Sequence, residues 1–270
     1  MPLVQLFGSM DTQKNKETIM SFLIHAGGEV VTRDDVQNVA VPAPSRRHKA
    51  IPHEFLIDSI DKVMDQIYPM FPLVKEQYAL GKVDRNTGVP GQMFGLYTYD
   101  TGDPKYGLAI GFRNSYDKSL AAGIIGGANP FVCDNLCFSG DSFALHRKNT
   151  INAMGDVEHL MYSNAYAMLD DYRHMVSQFD VLEGVVVNQD TGYEVLGLMQ
   201  GHEVIKPRQY LAAVDAWREP PQEDWVPRTA LSLYNAVTEG TKKTNVSDVI
   251  KDLATPHKYM MNYFLEEVSA

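Results

Sequence analysis

Cysteine, histidine and acidic side chains carry the most readily recognised chemistry, and this 270-residue chain offers them in few patterns. Cys133 and Cys137 are spaced Cys-x3-Cys, with His146 next along and His159 and His174 further on. A structural zinc site takes four Cys or His ligands, commonly with tighter Cys-x2-Cys pairs. No metal centre is expected from this set. A nucleophilic cysteine needs a basic neighbour to hold its thiolate, which for Cys133 would be His146. The structural alternative makes both cysteines small buried residues at a strand end. Asp100, Asp103, Asp117, Asp134 and Asp141 all fall where turns are expected, and Asp favours turns through its own hydrogen bonding. No phosphate-cradling glycine loop, GxSxG elbow, HExxH or EF-hand spacing occurs, so no cofactor and no catalytic residues are expected.

The cations make a second pattern. Arg113, Lys118, Arg147 and Lys148 fall near the ends of neighbouring short apolar runs, and Arg46, Arg47 and Lys49 sit together in VPAPSRRHKAIPH. Tyr97, Tyr99 and Tyr116 lie in the same region. Cations that track a phosphate backbone, with aromatics for base stacking, are what single-stranded nucleic acid requires. Two structural alternatives stand beside this: tyrosines that fill a core with cations paired to local acids, and a solvated basic loop at 46–49. The net charge of −10 opposes unspecific affinity for nucleic acid or anionic membrane. Yet residues 46–150 hold 12 Lys+Arg against 11 Asp+Glu, whereas residues 151–270 hold 9 against 18. The acidity therefore belongs to the second half of the chain.

Positioning these groups falls to a sheet. Apolar runs at 73–80, 93–99, 106–112, 120–125, 131–132 and 143–145 are each too short for a helix and bounded by turn formers. Gly102 and Pro104 mark a turn that makes 93–99 and 106–112 a hairpin. Helical spacing is found at 53–67, over a long stretch at 152–180, and at 193–200, 207–217 and 229–238. A last helix, 246–268, is expected to break near Thr255-Pro256. The expected class is α+β: a central, mainly antiparallel sheet over about 73–148, packed by a long helix and followed by a helical C-terminal half. Residues 1–45 read as an N-terminal extension with a helix at 11–25 and a short strand at 29–32, and 46–270 as the main domain. No apolar run approaches the ~20 residues that span a bilayer, no secretory leader is expected, and two cysteines point to a reducing cytoplasm.

Several segments together carry a resemblance. GFRNSYDKSLAAG, FVCDNLCFSGD and ALHRKNT, with VPAPSRRHKAIPHEFLIDSI before them and AWREP and RTALSLYNAVTEG after, resemble the signatures of the domain of unknown function 932 family, the phage/plasmid-like proteins. The resemblance covers roughly residues 40–265, with Asn114, Cys133, Asp134, Asn135 and Gly140 as signature positions. It implies a stand-alone cytoplasmic protein, in a host cytoplasm if phage-encoded, and brings no catalytic residues with it. The expected function is a DNA-transaction protein that binds single-stranded nucleic acid and self-assembles as a homo-oligomer in the manner of strand-annealing proteins. A protein–protein module acting on a host defence or restriction factor is the alternative, favoured by the acidic second half. A cysteine- or metal-dependent enzyme is a third reading.

Overall fold

Along one central strand, Leu108, Ile110, Phe112 and Asn114 alternate with Ala109, Gly111 and Arg113, and this period of two settles which face carries the helices. The computed structural model describes residues 29–46, 48–81, 83, 88–130, 143–150, 152–242 and 249–266. Within them the sheet has six strands: β1 Glu29–Val31, β2 Leu73–Leu80, β3 Gln92–Tyr99, β4 Tyr106–Ser115, β5 Ala122–Pro130 and β6 Phe143–Arg147. They lie in chain order, each antiparallel to the next. The helices are α1 Arg33–Gln37, α2 His53–Ile67, α3 Ala153–Gly184, α4 Gln189–Gly201, α5 Pro207–Arg218, α6 Ala230–Thr241 and α7 Val249–Met261. A 3-10 turn at Glu223–Trp225 precedes α6, and a π-helical turn at Asn262–Glu266 follows α7. The class is α+β, with the second half helical.

Cross-strand register aligns the core face. Met93, Gly95, Tyr97 and Tyr99 of β3 stand beside Leu108, Ile110, Phe112 and Asn114 of β4, and all eight are buried. Gly95 is required by contact: a Cβ there would lie 2.0 Å from the Phe112 ring. That space lets Phe112 meet Tyr97 edge-on, with ring centroids 5.1 Å apart. Onto this face α2 lays Leu56, Ile57, Ile60, Val63 and Met64, a stripe at helical spacing. The 32-residue α3 crosses beside it, its Met168 side chain closing on Gly126 of β5. Tyr172 ties α3 to the sheet by donating to the Tyr106 carbonyl at 2.7 Å, and Tyr68 ties α2 to α3 by donating to the Ala165 carbonyl at 2.8 Å.

The helical half packs α5 against α6 so closely that a Cβ on Gly240 would meet the Gln209 carbonyl oxygen at 2.5 Å. Asn188 and Thr229 cap α4 and α6 by accepting from the Thr191 and Ser232 amides. Two expectations change and one helix is added. The strand in the N-terminal extension is not separate, because β1 pairs with β2 and becomes the sheet's edge. A short helix, α1, follows it, closed by a Thr32–Asp35 capping box that the sequence reading passed over. And α7 continues through Pro256 instead of breaking there; His257, Met260 and Met261 are buried beyond it, and their packing carries the helix past the missing amide. The expected helix at 11–25 and the run at 131–132 lie outside the described residues.

Candidate nucleic-acid interface

The end of the sheet where β4 finishes and β5 begins is organised by a buried amide. Asn114 has 0% of its surface exposed and satisfies both ends of its side chain. Its Nδ2 donates to the Ile51 carbonyl at 2.7 Å and to His53 Nδ1 at 3.1 Å. Its Oδ1 accepts from the Ser115 amide at 2.9 Å and from Asn149 Nδ2 at 3.0 Å. Asn149 also donates to the Ser115 carbonyl, so the segment after β6 is fastened to the end of β4. His53 lies flat on Tyr116, rings 3.8 Å apart and 2° from parallel, and its backbone N–H donates to the Tyr116 hydroxyl. Because Asn114 donates to Nδ1, the neutral imidazole carries its proton on Nε2. Burial pushes the His53 pKa down to about 3.

Three distant segments meet here: residues 48–53, the β4–β5 turn, and residues 147–149. The turn is held by its own side chains. Ser115 Oγ donates to the Leu120 carbonyl and accepts from the Leu120 amide, and Asp117 accepts from the Ser119 amide and hydroxyl. This presents Lys118 in the left-handed region, at φ 67°, and exposed. Lys118 stands close enough to His48 to depress its pKa, adding to the larger effect of burial. The basic linker is therefore folded against the turn, with the Ser45 amide donating to the His48 carbonyl.

Arg46, Lys49, Lys118 and Lys148 are exposed around this hub, and none makes an ion pair among the described residues. The remaining expected contacts are placed differently. Arg113 and Arg147 do not share a ledge: Arg113 pairs in register with Gly123, whereas Arg147 pairs with Ala122, so the two point to opposite faces of the sheet. Arg113 is half-buried, and burial lowers its pKa. Arg147 is on the helix face and pairs with Asp156 of α3 at 2.8 Å.

The tyrosines correct the stacking expectation. Tyr97, Tyr99 and Tyr116 are all 5% exposed or less, their rings taken up by the core and by His53. Tyr97 is further tied to Tyr78 through a 2.6 Å hydroxyl contact. No base can reach these rings without unfolding. Arg47, Cys133, Asp134, Asn135, Cys137 and Gly140 lie outside the described residues. Among the described residues no group of three or more His, Cys, Asp or Glu side chains is placed to hold a metal, and no helix is long and apolar enough to cross a membrane.

Sequence reasoning missed His53 and Asn149 as members of the hub, though both lie in segments that carry the resemblance. Position offered a signal for Asn114: it continues the inward series of Leu108, Ile110 and Phe112, where a polar side chain must be buried and bonded. In comparison with known proteins, no family model, no curated protein and no solved structure matches the chain.

Proposed function

We propose that the chain binds single-stranded nucleic acid through its backbone phosphates at the β4–β5 end of the sheet, as a phage- or plasmid-type DNA-transaction protein of the kind its sequence resembles. The observation that carries the reading is the set of exposed cations, Arg46, Lys49, Lys118 and Lys148, that have no acidic partner among the described residues of an acidic molecule. Among the described residues the acids placed nearby are Asp117 in the turn, Glu54 near Tyr116, and Asp156 on Arg147. The Asn114 hub holds the three cation-bearing segments at fixed spacing, which favours phosphate contact over a mobile charged tail. Arg113 and Arg147 flank the tip on its two faces. A flexible single strand can follow cations around a sheet end, whereas a duplex with a persistence length of about 50 nm cannot. With the tyrosines buried, base stacking has no part in the reading, and little sequence preference is expected.

Fluorescence anisotropy with a labelled oligonucleotide tests it. Each single-strand phosphate contact contributes roughly −0.7 to the slope of log affinity against log salt. Four contacts give a slope of about −3. Reversing charge with Lys118→Glu and Lys148→Glu should abolish binding, and Arg208→Glu on α5 should leave it unchanged. Absence of binding at about 50 mM salt, or equal loss in the Arg208→Glu control, removes the reading.

A further inference from the structure

At the opposite end of β4 lies a cleft of about 350 Å3, bordered by Lys105, Tyr106, Glu183, Asp224, Trp225 and Leu231. It is acidic. Lys105 pairs with Glu183 at 2.6 Å and also feels Asp180 and Asp103, so one ammonium group stands among several carboxylates. It is also flanked by apolar side chains left in solvent. Val186, bridged to the lining residue Thr229, is 83% exposed, and Val226, between the lining residues Trp225 and Pro227, is 62% exposed. The segments that carry them are joined at this place, the Val187 amide donating to the Arg228 carbonyl and the Ala230 amide to the Val185 carbonyl. Exposed apolar side chains rimmed by polar groups mark interaction surfaces.

The chain carries the complement of this surface at its other end. Residues 41–46 and 48–49 run without helix or strand, and Val41, Ala43, Pro44, Ser45, Arg46 and Lys49 are all exposed. The segment is apolar and basic where the cleft is apolar and acidic. It cannot reach the cleft of its own chain. Ile51 and His53 are fastened to the Ser115 end of β4 by the Asn114 and Tyr116 contacts, His48 lies beside Lys118 of the turn there, and the cleft adjoins Tyr106. Ten residues of strand separate the two, about 30 Å.

We propose that the cleft docks residues 41–49 of a second copy. The contact is head-to-tail, with different surfaces on the two partners, so it repeats from copy to copy and produces a ring or an open row. It goes beyond the nucleic-acid reading and does not rest on it: docking takes up Arg46 and Lys49 and leaves Lys118 and Lys148 to the phosphates.

Sedimentation velocity of the full chain without nucleic acid tests this. Species larger than the monomer should grow with protein concentration at low salt and dissociate at about 0.5 M salt, where screening has shortened to roughly 4 Å. An acidic arm, Arg46→Glu with Lys49→Glu, should weaken association about tenfold or more, as should a basic cleft, Asp224→Lys with Glu183→Lys. Asp224→Lys alone, which keeps the Lys105–Glu183 pair, serves as the milder cleft variant. Mixing the acidic-arm and basic-cleft proteins should restore assembly, because each then offers the complement of the other. A monomer at every salt concentration overturns the proposal. So does assembly that both reversals leave unchanged, or a mixture that fails to reassociate while each variant keeps its native circular dichroism.

Discussion

Asn114 Nδ2 lies 3.1 Å from His53 Nδ1, joining the end of a central strand to the first residue of a helix 61 positions earlier. The contact fixes the tautomer of the imidazole and the orientation of the amide. Removing the amide with Asn114→Ala leaves the Ile51 carbonyl, the Ser115 amide and Asn149 buried without their partner. Loss of about 3 kcal/mol in unfolding free energy is expected, read by urea denaturation. Asn114→Asp is the sharper variant. Its carboxylate keeps the two accepting roles but cannot donate to His53, and it attracts a proton to the imidazole. The His53 pKa should rise from about 3 toward its ordinary value or beyond, visible in the imidazole proton resonances. An unmoved resonance would show that Asn114 does not face His53.

Two buried histidines make stability depend on pH in one direction. Burial holds His53 near pKa 3 and His257 at about 4, the latter with His174 adding repulsion and Tyr234 at Nδ1. Both folded values lie below the ordinary 6.5, so the unfolded chain takes up protons first as pH falls. The stability they confer is complete above about pH 6.5 and declines below it, until the folded histidines themselves protonate. Between pH 7 and pH 5 each histidine should account for about 2 kcal/mol of lost unfolding free energy. Replacing His257 by Phe should halve that difference, whatever it does to stability at pH 7. Equal unfolding free energies at pH 7 and 5 would mean that neither imidazole is buried.

Gly95 offers a packing test far from any charge. A methyl at this position meets the Phe112 ring at 2.0 Å, and Phe112 is held by Tyr78 and Tyr97 edge contacts on either side. The ring has no free direction to turn. Gly95→Ala should therefore cost about 2 kcal/mol or more, despite alanine's lower conformational entropy in the unfolded chain. A matched Phe112→Leu change should recover part of the loss in the double variant, which thermal melts of the four proteins would read.

The sheet and its helices were legible because period-two and period-3.6 patterns are local: the alternation of Leu108, Ile110 and Phe112 and the stripe of Leu56, Ile60, Val63 and Met64 need no tertiary knowledge. The same alternation contains the answer for Tyr97 and Tyr99, which continue the inward series Met93 and Gly95 and so belong to the core. Reading them as base-stacking residues weighed composition above phase. Arg113 and Arg147 fail as one ledge for a different reason. Their relative side depends on cross-strand register, which is set by pairing and not by either strand alone. The hub was hidden for the same reason, since His53, Asn114 and Asn149 become neighbours only through the order of the strands. α7 passing through Pro256 shows tertiary packing outweighing a local breaker.

Arg147 is held back from the proposed phosphate path by one carboxylate. Its guanidinium meets Asp156 at 2.8 Å, with the Arg147 and Asp156 side chains 34% and 47% exposed, so the pair is accessible to a competing anion. Exposed pairs of this kind are worth little, about 0–1 kcal/mol, and a phosphate that displaces the carboxylate must overcome only that. Asp156→Asn keeps the shape and removes the competitor. Stability should change by less than about 1 kcal/mol, while affinity for a single-stranded oligonucleotide rises several-fold and the salt slope steepens by roughly 0.7, the increment for one added contact. Arg147→Gln in the same background should return both to the starting values. If Asp156→Asn leaves the slope unchanged while Lys118→Glu still abolishes binding, the strand follows the Arg113 face of the sheet end and not the face on which α3 packs.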